Sequence, residues 1–346
     1  SPWWMVANII SGNTCYSYFN GPSGINLATS QDKTNWTAYA SNPVIPYSLI
    51  PAGYELRDPY VFLNPDDNTF WMILAGKEPN VAYEESGFYY YSTSTDLYHW
   101  TTPAVLYDPG NIGVPECPDM FKLYDKFYLI GSWGSGRVGQ GRYRMASSAA
   151  GPWTVPAVDT LDGTELMAPN SAQGPTERLL FGWIPTYVNR EDYASYEWGG
   201  HLAYPRVIYA DATGKLFLRP PSALTQLREQ TTAFNASSPY AVQAGTWTPG
   251  TTQLAGTSAA GYAATLVPGS FSRFEMVTTV GVDATCNRAG IVFRMGDAGF
   301  SGYEACVDYA NQKFILRRYQ DSTNVLASQP ISVTRSSALE LRVFVD

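Results

Sequence analysis

Ser30-Gln-Asp-Lys-Thr-Asn-Trp36, Ser94-Thr-Asp-Leu-Tyr-His-Trp100 and Ser147-Ser-Ala-Ala-Gly-Pro-Trp153 share one pattern: a Ser closes a strand-like run and a Trp follows six residues later. Each Ser is preceded by a short strand pattern (24–30, 88–94, 142–147), and that by a more apolar one (15–19, 70–75, 127–133). Successive copies are 64 and 53 residues apart, the length of one four-stranded antiparallel sheet with its turns. A period of this kind marks the blades of a β-propeller. A simple sandwich does not repeat a loop signature at blade spacing. A fourth unit is predicted from strand patterns at 179–184, 201–209 and 215–219.

Composition agrees with an all-β reading. Of 346 residues, 15% are charged and 14% aromatic, with 25 Tyr, 15 Phe and 10 Trp, and 30 Gly and 24 Pro supply turns. That mixture favours short strands over helices. A net charge of −8 argues against a nucleic-acid partner, which requires a basic surface. The chain has no apolar run of the roughly 20 residues that span a bilayer, so no membrane association is expected. After Pro221 the composition shifts to Thr, Ala, Ser and Gly. Alternating strands at 274–280, 290–295, 303–309 and 313–319 follow, without the repeat signature. The expected organisation is a propeller over 1–225, from a partial second blade to the fifth, and a truncated β-sandwich over 226–346.

The innermost strand of each blade lines the propeller axis, so acids there converge. Arg57-Asp58-Pro59 lies 36 residues before Ser94, and Glu116-Cys117-Pro118-Asp119 opens 31 residues before Ser147. The near agreement predicts that Asp58 and Glu116 face one another, the arrangement used for acid/base work on a glycosidic bond. The same residues would otherwise serve as ion pairs tying blades together.

Arg57-Asp58-Pro59, Glu116-Cys117-Pro118-Asp119 and Trp198-Gly-Gly-His-Leu-Ala-Tyr-Pro205-Arg206 together resemble glycoside hydrolase family 32, the invertase, inulinase and levanase family, in identity, order and spacing. The resemblance implies a five-bladed propeller, incomplete in this chain, followed by a β-sandwich. It implies a retaining glycosidase acting on sucrose or fructan by hydrolysis or fructosyl transfer. Glu116 would be the general acid/base, its pKa raised by burial and a neighbouring carboxylate, and Asp58 an ionised transition-state stabiliser. Arg57, Cys117, Asp119, Trp133 and Trp198 are implied substrate-binding or supporting residues. The family's nucleophilic Asp, in an Asn-Asp-Pro-like motif on the first blade, has no counterpart here. Asn64-Pro65-Asp66-Asp67 lies in a turn and Asp32 belongs to the repeat loop. The chain begins in a strand and stops within Leu339–Asp346, so both ends are expected to be cut, with a separate N-terminal fragment as a candidate partner completing the propeller. The nearest enzyme alternative is an arabinofuranosidase or xylosidase of related five-bladed families, and a non-catalytic fructan-binding protein is a second.

Four cysteines, Cys15, Cys117, Cys286 and Cys306, include no close pair of the kind that binds zinc, and neither metal nor cofactor is expected. Cys286 and Cys306 allow either a bridge or two thiols. The sequons Asn35-Trp-Thr and Asn235-Ala-Ser favour a secreted, extracellular protein. Tyr89, Tyr90 and Tyr91 join Trp133 and Trp198 as candidates for stacking on sugar rings. His99 and His201 are expected in loop hydrogen bonds. Gly131-Ser-Trp-Gly-Ser-Gly136 is expected to be a substrate-lining turn, since it opens no helix.

Overall fold

The computed structural model describes residues 4–134, 140–163, 165–190, 195–235, 238–259, 261–267, 269–296, 301–320 and 322–345. It divides into two compact units, Ser1–Gln226 and Leu227–Asp346.

The described residues of the first unit form four antiparallel sheets. The first holds β1 (Trp4–Ser11), β2 (Thr14–Gly21), β3 (Gly24–Ser30) and β4 (Thr37–Ala38), with β5 (Ile45–Pro46) also on β3. The second is β6 (Glu55–Leu63), β7 (Phe70–Lys77), β8 (Gly87–Ser94) and β9 (Ala104–Tyr107). The third is β10 (Glu116–Leu123), β11 (Lys126–Trp133) and β12 (Gln140–Ala146). In the fourth, β13 (Met167–Gln173), β14 (Arg178–Tyr187), β16 (Arg206–Ala210) and β17 (Leu216–Arg219) are joined by β15 (Tyr196–Leu202), which pairs with β14.

The apolar runs of β7 and β11 follow from this stacking. Strand side chains alternate between faces, and a sheet covered on both faces must be apolar on both. Met72 and Leu74 of β7 pack with Tyr18 and Leu27 of the first sheet. Their neighbours Trp71 and Ile73 pack with Met120, Phe127 and Leu129 of the third. On the other face of the third sheet, Phe121, Tyr128 and Ile130 meet Leu180 and Ile208 of the fourth. The innermost strands adjoin in the order β1, β6, β10, β13, as around a propeller axis.

The Ser of the repeat caps the loop beyond its strand. Ser94 Oγ accepts the Leu97 N–H, and Asp96 Oδ1 accepts the N–H groups of Tyr98 and His99. Asp32 does the same for Thr34 and Asn35 after Ser30. Hydrogen bonds of this type hold a carboxyl well below its usual range, as they do for Asp32 and Asp96.

Two expectations need correction. The first sheet is not partial, because residues 4–11 supply its innermost strand. The predicted strand over 201–209 is two strands, broken at Ala203–Pro205, where proline removes a ladder donor.

In the second unit, β18 (Ala241–Ala244) pairs with β21 (Ala264–Leu266), and β19 (Thr246–Pro249) with β20 (Leu254–Thr257). Two further sheets share a core. One is β22 (Phe274–Val280) with β27 (Leu339–Val345). The other is β23 (Arg288–Phe293), β24 (Gly302–Asp308), β25 (Lys313–Gln320) and β26 (Ser322–Pro330). Leu341, Val343 and Val345 meet Ile291, Ala305 and Val307 between them, which makes a β-sandwich. All four cysteines are free thiols, so the bridge allowed between Cys286 and Cys306 is not made.

Candidate active site

All four innermost strands shift register near their starts, β1 against β2 between Trp4 and Val6, and the other three share a further form of the irregularity. The register of β6 on β7 jumps between Arg57 and Tyr60, that of β10 on β11 between Glu116 and Asp119, and that of β13 on β14 between Met167 and Asn170. Each jump sets two residues against one, a β-bulge. In each, the first bulged residue is left-handed and precedes a proline: Asp58 at φ 55°, Cys117 at 53° and Ala168 at 46°. Non-glycine residues seldom adopt this conformation, and its cost of order 1–3 kcal/mol persists only where the surroundings impose it.

The bulges correct the alignment drawn from repeat offsets. Asp58 is equivalent to Cys117 and Ala168, whereas Glu116 is equivalent to Arg57 and Met167. The two acids therefore sit one position apart on adjoining strands.

They are nevertheless brought together. Asp58 Oδ2 accepts the Cys117 N–H at 3.2 Å, fixing its carboxylate one residue from Glu116. Arg57 reaches both acids: Nη2 lies 2.6 Å from Glu116 Oε1 and Nε 3.8 Å from Asp58 Oδ2. The Asp58 side chain is 4% exposed and that of Glu116 48%. The burial expected at Glu116 thus falls on Asp58. Burial raises the Asp58 carboxyl, the Arg57 charge and the Cys117 amide draw it down, and Glu116 adds to the rise. Burial likewise pushes the Cys117 thiol up.

Asp119 is fully buried behind this pair. Its Oδ2 accepts the N–H of Ser171 at 2.7 Å and the Ser171 hydroxyl, which also receives a bond from Arg178 at 2.7 Å. Burial raises its carboxyl and Arg178 opposes the rise. Asp119 joins the third sheet to the fourth and presents no surface to a sugar, contrary to expectation. Trp133 is 2% exposed, because its indole N–H donates to Tyr89 Oη at 2.5 Å and the Arg144 guanidinium lies 4.1 Å over its ring. Tyr89 and Tyr90 are core residues, and Tyr91 stacks on Trp71 at 4.8 Å. Trp133 and this tyrosine run are therefore packing between sheets and offer no free ring face for a sugar. The Trp198 side chain and residues 135 and 136 of the glycine-rich turn lie outside the described residues. His99 meets the loop expectation, with Nδ1 2.7 Å from Asp96 Oδ2.

Sequence reasoning missed Asn20. Its Oδ1 accepts the Asp58 N–H at 3.2 Å, while Nδ2 donates to Tyr47 Oη at 3.0 Å and to the Leu56 carbonyl at 3.1 Å. Asn20-Gly21 reads as a hairpin turn dipeptide, which masked it. It also missed the third bulge at Ala168-Pro169, which carries no charge to draw notice.

A family model described as "Glycosyl hydrolases family 32 N-terminal domain" matches residues 18–220. The sucrose-6-phosphate hydrolase of Escherichia coli is 27% identical over 219 residues, covering 59% of this chain and 43% of that protein. The levanase of Bacillus subtilis is 31% identical over 182 residues, covering 50% of this chain and 22% of that protein. The chain thus spans less than half the length of these curated relatives. Among solved structures, a β-fructofuranosidase of Bombyx mori superposes with a TM-score of 0.68 at 18% identity, over 99% of this chain and 70% of that one.

Proposed function

The chain belongs to glycoside hydrolase family 32, and from that premise we propose that its activity is that of a secreted β-fructofuranosidase that cleaves sucrose or fructan with retention, by hydrolysis or fructosyl transfer. One observation carries the reading: two carboxyl groups from adjoining innermost strands, Asp58 and Glu116, are gathered around Arg57 at paired bulges. In this mechanism Glu116 protonates the leaving glycosidic oxygen and then deprotonates the incoming water or sugar hydroxyl. Its exposure suits a group that must meet a leaving group. Asp58 accepts hydrogen bonds from fructosyl hydroxyls while its other contacts hold it still. Arg57 orients both carboxyls. Asp32 stands in the loop after β3, and Glu55 at the start of β6 is paired with Lys77, so neither is assigned as the attacking carboxylate. The 27% and 31% identities to a sucrose-6-phosphate hydrolase and a levanase support the substrate class. The exposed sequon Asn35 supports secretion.

The test is fructose release by the whole protein from sucrose, inulin and levan. Asp58→Asn and Glu116→Gln are expected to lower kcat at least 100-fold while sugar binding persists in calorimetry. Unchanged release in both variants refutes the assignment. Binding without turnover in the unsubstituted protein favours a fructan-binding module.

A further inference from the structure

The left-handed bulge at Asp58 requires something to hold it. Its N–H is met by a side chain of the preceding sheet, Asn20 on β2, at 3.2 Å. The next bulge repeats the device: the Cys117 N–H is met by Asp58 Oδ2 of the preceding sheet, again at 3.2 Å. A run of side-chain-to-backbone bonds therefore passes from the first sheet to the second and from the second to the third. Its first member has no remaining freedom. The Asn20 amide donates both to the Leu56 carbonyl and to Tyr47 Oη. Only one orientation of the amide gives the carbonyl a donor and the Asp58 N–H an acceptor. Tyr47 is itself anchored, its N–H bonded to the Ser23 carbonyl at 2.9 Å.

We infer that Asn20 is a positioning residue for the acid pair: it pins the Asp58 backbone in the left-handed bulge, and through the Asp58 carboxylate it pins the Cys117 backbone that presents Glu116. It touches no reacting atom. Its effect on turnover rests on the role proposed for Asp58 and Glu116, whereas its effect on the two amides does not. Loss of Asn20 leaves the Asp58 N–H buried without an acceptor. The bulge then samples other conformations and the carboxylate loses its aim.

The experiment is amide hydrogen exchange followed by NMR on the whole chain, beside fructose-release kinetics. In Asn20→Ala the amides of Asp58 and Cys117 are expected to exchange at least tenfold faster, while those of Leu129 and Tyr143 in the core stay within twofold. Asn20→Asp keeps the acceptor oxygen and loses both donors, and is expected to restore protection at Asp58 to within threefold. In turnover, Asn20→Ala is expected to lower kcat at least tenfold with KM within threefold. If Asn20→Ala does not fold, Asn20→Ser is read the same way, its hydroxyl falling short of the Asp58 N–H. Unchanged exchange at Asp58 and Cys117 overturns the inference, as does acceleration at Asp58 alone. Accelerated exchange with unchanged turnover upholds the backbone role and refutes the catalytic reading of the pair instead.

Discussion

Gly131 lies opposite the bulge that follows Glu116, between the Glu116–Ser132 and Asp119–Ile130 pairs. A methyl group there would stand 1.9 Å from Tyr89 Oη and 2.6 Å from Trp133 Nε1. Neither ring has room to withdraw, being 0% and 2% exposed between the second and third sheets. Overpacking of such a site costs about 1–3 kcal/mol, and breaking the Trp133–Tyr89 hydrogen bond adds about 1 kcal/mol. Gly131→Ala is therefore expected to destabilise the first unit by about 3 kcal/mol, or about 6–12 °C in melting temperature for a unit of this size. Tyr89→Phe alone orphans the buried indole N–H and costs about 1.5 kcal/mol. It also removes the atom that the new methyl meets first, so the double variant should fall short of additivity by about 1–2 kcal/mol. Calorimetry of the four proteins, with urea midpoints as a second measure, gives the cycle. A Gly131→Ala transition within 1 °C of the parent, or strictly additive costs, would refute the account of this contact.

Asp58→Asn should raise the melting temperature at pH 7 by a few degrees, the trade commonly found where a site keeps a costly group. Burial raises the native carboxyl above its unfolded value, so its ionisation penalises the fold increasingly as pH rises through the native titration. The advantage of the amide should accordingly shrink as pH falls towards 3.8. An advantage that is constant from pH 7 to pH 4 contradicts the assignment. Thiol titration should find Cys286 reactive in the native protein, Cys15 and Cys306 protected by burial, and all four available after unfolding without reductant. A count of two in the unfolded, unreduced chain would contradict the free thiols.

The sequence made legible what is local. The Ser and Asp of the repeat loops bond their own backbone within three residues, so their pattern survives in the chain. The continuous apolar runs of β7 and β11 show their burial on two faces. The equivalence of Asp58 and Glu116 failed because counting from the repeat ignores turn length. Residues 64–69 join β6 to β7, whereas only 124–125 join β10 to β11. The aromatic residues failed for another reason. Whether Trp133 or Tyr89 meets a ligand or a neighbouring sheet depends on contacts more than 40 residues away, and nothing within the strand distinguishes the two. Asn20 is illegible for the same cause, its partner Asp58 lying 38 residues on.

The three bulges amount to a fixed set of addresses around one axis. What differs among them is the letter written at each: Arg57 and Asp58 at the first, Glu116 and Cys117 at the second, Met167 and Ala168 at the third. The backbone that aims these positions is the same left-handed, proline-backed turn in each strand, and at the second it is also held by the letter of the first, through the Cys117 N–H and Asp58 Oδ2. Chemistry and architecture are thus coupled at the first two addresses, and separable at the third, where Met167 and Ala168 carry no polar side-chain group. A new carboxylate or thiol written at Met167 or Ala168 would enter a slot already shaped like those of Glu116 and Cys117, with the sheets behind it unaltered.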